Sequence, residues 1–265
     1  MKLPIYQVDA FTDTLFGGNP AAVVPLPHWL PDPVLAAIAA ENNLSETAFV
    51  IPGEGVSPLR WFTPTVEVDL CGHATLATAQ VLFSHYFPDA TTLRFSTLSG
   101  PLEVSRDGAL LCMDFPAKPG SLVEITEQLV AALGERPREL WLARDLMAVF
   151  GNEAEVRALR PDMDKIIGLD AFGVIVTAPG ATVDFVSRFF APAKGVPEDP
   201  VTGSAHCTLI PYWAARLDRS RLHARQVSAR GGELFCELHG ERVRIAGHAV
   251  EYLRGEISLE KFPAR

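Results

Sequence analysis

With 265 residues, 48% of them apolar and 21% charged, the chain has a globular composition. It is long enough to bury roughly three quarters of its unfolded surface without staples. The net charge of −9 repels phosphate backbones and no Lys/Arg cluster overrides it, which argues against nucleic acid; no apolar run approaches the ~20 residues that span a bilayer.

A length prior favours two domains. The N-terminal stretch MKLPIYQVDAF carries an early Asp9 and lacks the apolar core of a signal peptide. Cys71, Cys112, Cys207 and Cys236 are far apart and form no C-x-x-C pair. The expectation is a soluble, cytoplasmic protein with reduced thiols.

Residues 3 to 11 are rich in strand formers and read as the buried edge of a sheet. Thr12 to Pro20 is turn chemistry, with Gly17-Gly18 permitting positive φ. AAVVPL reads as a strand, and Pro31-Asp32-Pro33 starts a helix that stops at Asn42-Asn43. Strands are expected from Ser45 to Ile51 and at 59 to 64. A helix from Gly72 follows, then strands at 92 to 97, 101 to 108 and 109 to 116. Ala117 to Ser121 reads as a linker, and ITEQLVAALG as an amphipathic helix closed by Gly134. Strands at 138 to 143 and 146 to 150, a short helix near 153 to 159 and two further strands lead to a second apolar helix. Paired strands finish the chain.

The stretch DLCGHATLATAQVLFS, 69 to 84, organises this pattern: a Gly-containing turn opens a helix apolar nearly all round, hence buried. Its first-turn N–H groups lack intrahelical acceptors and attract anions. DPVTGSAHCTLIPYWAA, 199 to 215, repeats the arrangement. Upstream, Arg60-Trp61-Phe62-Thr63-Pro64 answers Arg188-Phe189-Phe190-Ala191-Pro192, and Cys71-Gly72-His73-Ala74 lies over Thr202-Gly203-Ser204-Ala205. The period exceeds 100 residues, so the chain reads as two similar domains, 1–117 and 118–265. Related domains usually place a ligand in the cleft between them. Two helix starts converging there suit a carboxylate, or a carbonyl becoming an enolate, and need no metal.

The stretches VDAFTDTLFGGNPAAVV, NNLSETAFV, RWFTPTVEVDLCGHATLATA and GVPEDPVTGSAHC resemble the phenazine-biosynthesis (PhzF-like) isomerase family of the diaminopimelate-epimerase fold superfamily. The resemblance implies an α+β fold of two pseudo-symmetric domains, each a rolled, mostly antiparallel sheet around a central helix. It also implies a homodimer, an interdomain site and proton transfer on a small carboxylate without a cofactor. It places the proton-carrying glutamate on Glu46, the assisting His and Asp on His73 and Asp199, and the helix-start amides on Gly72, Gly203 and Ser204.

From local sequence alone Glu46 reads as a solvated turn carboxylate, although it is the only acid between Asn42 and Ile51. As a base at neutral pH it wants a pKa near ~6–7, which a mostly apolar cleft can impose. His73 alone reads as a structural histidine, and Asp199 as a helix cap. Asn19 reaches the substrate or caps its loop. Cys71 tempts toward a two-thiol racemase or epimerase, but its counterpart is Thr202, too weak an acid to replace a thiolate. A catalytically silent binding protein on the same fold is the competitor from another class. The seven histidines show no metal spacing, and there is no nucleotide-binding glycine motif.

Overall fold

Alternating apolar residues in the first nine positions make a strand, but not an edge. In the computed structural model, which describes residues 1–260, β1 (Lys2–Ala10) is flanked by antiparallel partners on both sides. One is β2 (Asn19–Pro25) and the other is the chain's last strand, β18 (Ala249–Ser258). The sequence expectation of an edge fails because β1 is paired and packed along both sides.

The chain forms two compact units, Met1–Asp114 with the chain from Gly247 onward, and Phe115–Ala246. In the first, β2 continues through α1 (Asp32–Asn42) to β3 (Glu46–Val50), β4 (Val56–Phe62) and β5 (Glu67–Val68). Then come α2 (Gly72–His85), β6 (Thr92–Thr97), β7 (Gly100–Asp107) and β8 (Leu110–Pro116). The second holds β9 (Ser121–Val123), α3 (Glu127–Leu133), β10 (Glu139–Leu142) and β11 (Leu146–Val149). It goes on through α4 (Glu153–Ala158), α5 (Met163–Ile167), β12 (Val174–Pro179), β13 (Phe185–Ala191) and β14 (Val196–Asp199). It ends with α6 (Gly203–Leu217), β15 (Arg221–Gln226), β16 (Gly232–His239) and β17 (Arg242–Gly247).

The internal repeat is literal in the topology. Along β18-β1-β2-β3-β4-β6-β7-β8 the pairings run antiparallel, antiparallel, parallel, antiparallel, parallel, antiparallel, antiparallel. Along β9-β10-β11-β12-β13-β15-β16-β17 they run in the same order. Helices make the parallel crossovers, as parallel neighbours require. This is the α+β arrangement expected from the sequence. The boundaries expected at 117/118 and 265 differ from it, because β18 gives β1 the partner that β9 gives β10. Residues 261–265 of the expected second half lie outside those described.

Helix α2 packs against β1, β2, β3 and β18, and ten of its fourteen residues are buried. Its buried hydroxyls bond backward, Thr75 to the Cys71 carbonyl at 2.6 Å and Thr78 to that of Ala74 at 2.7 Å. Helix α6 carries Pro211, which cannot donate to the carbonyl four residues back. The Lys118 amide takes that acceptor, Cys207 O, at 2.8 Å. On the other sheet face α1 covers Leu3, Val24, Phe49 and Phe62, while α3, α4 and α5 cover Val174, Val176, Val186 and Phe190. Among the described residues no helix is long and apolar enough to cross a membrane.

Burial in α6 makes a pH prediction. The His206 ring is fully buried: Nδ1–H donates to Thr202 O at 2.9 Å, and Nε2 has no hydrogen-bond partner among the described residues. Burial holds its pKa down to about 4. The unfolded chain, with an ordinary histidine near ~6.5, therefore binds this proton first, and stability falls as pH drops from ~6.5 toward 4. The loss is on the order of 3 kcal/mol. Urea unfolding at pH 7 and pH 4.5 measures it, and His206→Gln should flatten the difference.

Candidate functional site

Parallel pairing of β2 with β3 sets Ala21 opposite Glu46, so the two strands begin at the same end. The loop before β2 turns at Phe11 and Gly18, both at positive φ. A Cβ on Gly18 would sit 2.1 Å from the Ala10 carbonyl oxygen, so only glycine fits. Asp9 accepts from the Phe16 amide at 2.9 Å and braces the same loop. The outcome is a fully buried Asn19 beside the start of α2.

There Asn19, Glu46, Cys71 and His73 meet. His73 Nε2 lies 3.0 Å from Glu46 Oε2. The contact is off the hydrogen-bond axis, and no described residue hydrogen-bonds that oxygen. His73 Nδ1 lies 3.2 Å from the Asn19 amide and 3.5 Å from Cys71 Sγ. Asn19, expected to reach substrate or cap its loop, is 0% exposed and turns its amide toward His73. One side of the Glu46 carboxylate thus faces an imidazole at contact distance.

Burial works against a charged His73, but its neighbours Cys71 and Glu46 outweigh it and hold the ring well above its ordinary value. The Cys71 share requires a thiolate, whereas burial, and next the Glu46 charge, push that thiol up to about 11. The Glu46 carboxylate, 3.0 Å away, is then the neighbour that favours a charged ring. The Asn19 amide nitrogen faces Nδ1, so Nδ1 accepts from it and the ring proton sits on Nε2, on the Glu46 side. A buried thiol with so high a pKa is a poor proton-abstracting base. Cys71→Ser is expected to retain proton exchange into substrate within about threefold, and complete loss would restore the thiol mechanism.

Asp199, Gly203 and Ser204 gather in the second unit. Neither Cys71 nor Thr202 caps its helix through its side chain, and neither first turn contains an acid. Such starts leave amides at Gly72 and at Gly203 and Ser204 for a ligand. Asp199 Oδ2 accepts from Thr202 Oγ1 at 2.5 Å. The buried Gln226 straps the same turn, accepting from Thr202 N at 2.9 Å and donating to Asp199 O at 2.7 Å. Asp199→Ala should therefore cost about 1.5–3 kcal/mol in urea unfolding, the worth of a charge-assisted bond. Unchanged stability with lost turnover would assign Asp199 to the chemistry instead.

Sequence reasoning missed Arg144, on the β10–β11 turn. Its Nη2 donates to Ser204 Oγ at 3.4 Å, and its guanidinium lies 4.0 Å from the Phe172 ring centroid. Lys194 Nζ approaches the same ring at 5.2 Å. A guanidinium beside the α6 start favours an anion there. A single Arg in a short turn carries no motif by which to find it.

The phenazine biosynthesis-like protein family model matches residues 8–255. An uncharacterized isomerase of Pseudomonas aeruginosa is 54% identical over 260 residues, covering 98% of this chain and 100% of that protein. A phenazine biosynthesis-like domain-containing protein of Homo sapiens is 40% identical, covering 97% and 100%. The crystal structure of a PhzF family protein from Enterococcus faecalis superimposes with a TM-score of 0.96 at 50% identity, covering 98% and 100%. A hydroxyproline epimerase from Agrobacterium vitis, at 11% identity and TM-score 0.65 over 98% and 94%, shares the fold. The chain belongs to the phenazine biosynthesis-like family of isomerases.

Proposed function

We propose that this isomerase moves a proton between carbons of a small carboxylate-bearing substrate, with Glu46 as the carrier and no organic cofactor. The observation that carries the reading is Glu46 Oε2, shielded from solvent, without a hydrogen-bond donor, and held against His73 at 3.0 Å. An oxygen with a free lone pair can take a proton from carbon; one saturated by donors cannot.

In the proposed cycle the Glu46 carboxylate accepts the C–H proton and the electron pair moves into the substrate's conjugated acid group. Glu46–H then returns the proton to a different carbon, so the enzyme ends as it began. His73 keeps the carboxylate oriented, and its charge offsets the anion that forms. The α6 start, with Ser204 and Arg144, is proposed to hold the substrate's anionic part. Asp199 keeps that turn in place through Thr202 and orients the substrate. The Gly72 amide is assigned the same work at the start of α2.

The test is deuterium wash-in: the enzyme in D2O with a panel of small cyclic and amino carboxylates, read by mass spectrometry and NMR. Incorporation at carbon supports the proposal. A carboxylate that binds and shifts the His73 ring signals without exchanging would make the protein a silent binder.

A further inference from the structure

We propose that Glu46, Cys71 and His73 together form a binding site for a soft divalent cation such as zinc, and that an ion held there occupies the Glu46 oxygen. Each residue offers one ligand atom, and these atoms lie within 4.8 Å of one another. Zinc takes thiolate sulfur at about 2.3 Å, imidazole nitrogen at about 2.0–2.1 Å and carboxylate oxygen at about 2.0–2.2 Å, in a tetrahedron. Such bonds set nitrogen–oxygen and nitrogen–sulfur separations of roughly 3.4 and 3.6 Å. Here His73 Nε2 is 3.0 Å from Glu46 Oε2 and 4.0 Å from Cys71 Sγ. These two edges need shifts of about 0.4 Å, and the oxygen–sulfur edge, within 4.8 Å here, closes by up to about 1.2 Å to put all three on one ion.

The surroundings fit as well. A His that binds metal through Nε2 keeps its proton on Nδ1 and needs an outer acceptor for it. The Asn19 amide stands 3.2 Å from Nδ1 with its nitrogen toward the ring, and a turn of that amide would offer its oxygen to an Nδ1 proton instead. Charge also balances: thiolate, carboxylate and neutral imidazole contribute two negative charges against two positive. In the loaded site the thiol has given its proton to solvent and His73 is neutral with its proton on Nδ1. Cys112, Cys207 and Cys236 are buried too, but among the described residues none belongs to a group of three competent ligands.

With its oxygen on a metal, Glu46 cannot accept a proton, so the ion would inhibit the isomerase. That consequence rests on Glu46 being the base, whereas binding does not. The experiment titrates the reduced, metal-free, full-length protein with cadmium alone and follows the ultraviolet thiolate-to-cadmium band. Wild type should saturate at one equivalent. Cys71→Ser should lose the band, and Glu46→Gln and His73→Gln should each weaken binding about tenfold or more while keeping it. No band in wild type, a band surviving Cys71→Ser, or undiminished affinity in both other variants would each overturn the site. Should Cys71→Ser fail to fold, zinc protection of thiols from alkylation in wild type decides instead. Protection mapped to Cys71 supports the site, and protection elsewhere or none overturns it. None of these readouts needs a substrate, so the metal site and the role of Glu46 can fail independently.

Discussion

Glu46→Gln should lower proton exchange into substrate by about 10²–10⁴-fold, the usual contribution of a positioned acid/base group, while leaving the fold intact. The amide keeps the shape of the carboxylate but cannot accept a proton from carbon. The side chain is 16% exposed, so no large packing loss accompanies the change. Retained exchange at the wild-type rate would remove Glu46 from the mechanism.

The same variant has a second readout that needs no turnover. In wild type His73 is held above its ordinary value against the effect of burial. Remove the Glu46 charge and its support for the charged ring goes, while burial, the largest influence, stays. Burial lowers a histidine's pKa. The His73 ring should then titrate lower in Glu46→Gln than in wild type, read from ring NMR signals against pH. The sign for stability follows: the wild-type pair stabilises fully below ~6.5, and the contribution is lost as pH rises through the raised value. An unmoved His73 titration would show that something other than Glu46 supports the imidazolium.

How much of this could be read from the chain depends on distance in sequence. The two Gly-turn helices were legible because a helix apolar on every side is buried whatever surrounds it. Asn43 and Gly134 were legible as helix stops, and both take positive φ. The return of β18 to β1 was not, since a strand's alternation names its faces and not its partner. α5 was missed because five residues are too few for a helical period. At the site, motif resemblance supplied Glu46 and His73 but not the chemistry between them. Asn19 and Cys71 gain meaning only when the start of β2 and the start of α2 meet, 54 residues apart in the case of Asn19 and His73.

The repeat also fixes a comparison between two arginines that sequence alignment pairs and structure separates. Arg60 forks onto Glu67 with both bonds at 2.7 Å, and Arg188 forks onto Glu198 at 2.7 and 3.0 Å. Each stacks on a phenylalanine two residues on, Phe62 at 5.1 Å and Phe190 at 4.9 Å. Each fork clamps the strand that leads into a buried helix. Arg188, however, also donates to the carbonyls of Val156 and Leu159, both at 3.0 Å, with its side chain only 10% exposed. Arg60 is twice as exposed, at 20%, and its third partner is the exposed Asp32. Arg188→Met should therefore strand two carbonyls and a carboxylate, at a cost of about 3–5 kcal/mol. Arg60→Met should cost closer to about 1 kcal/mol, because water can replace what it loses. Urea unfolding of the two variants measures the difference. If the losses are equal, burial does not decide the worth of the fork; if Arg188→Met alone falls sharply, the second unit depends on this clamp to hold the α6 start in place.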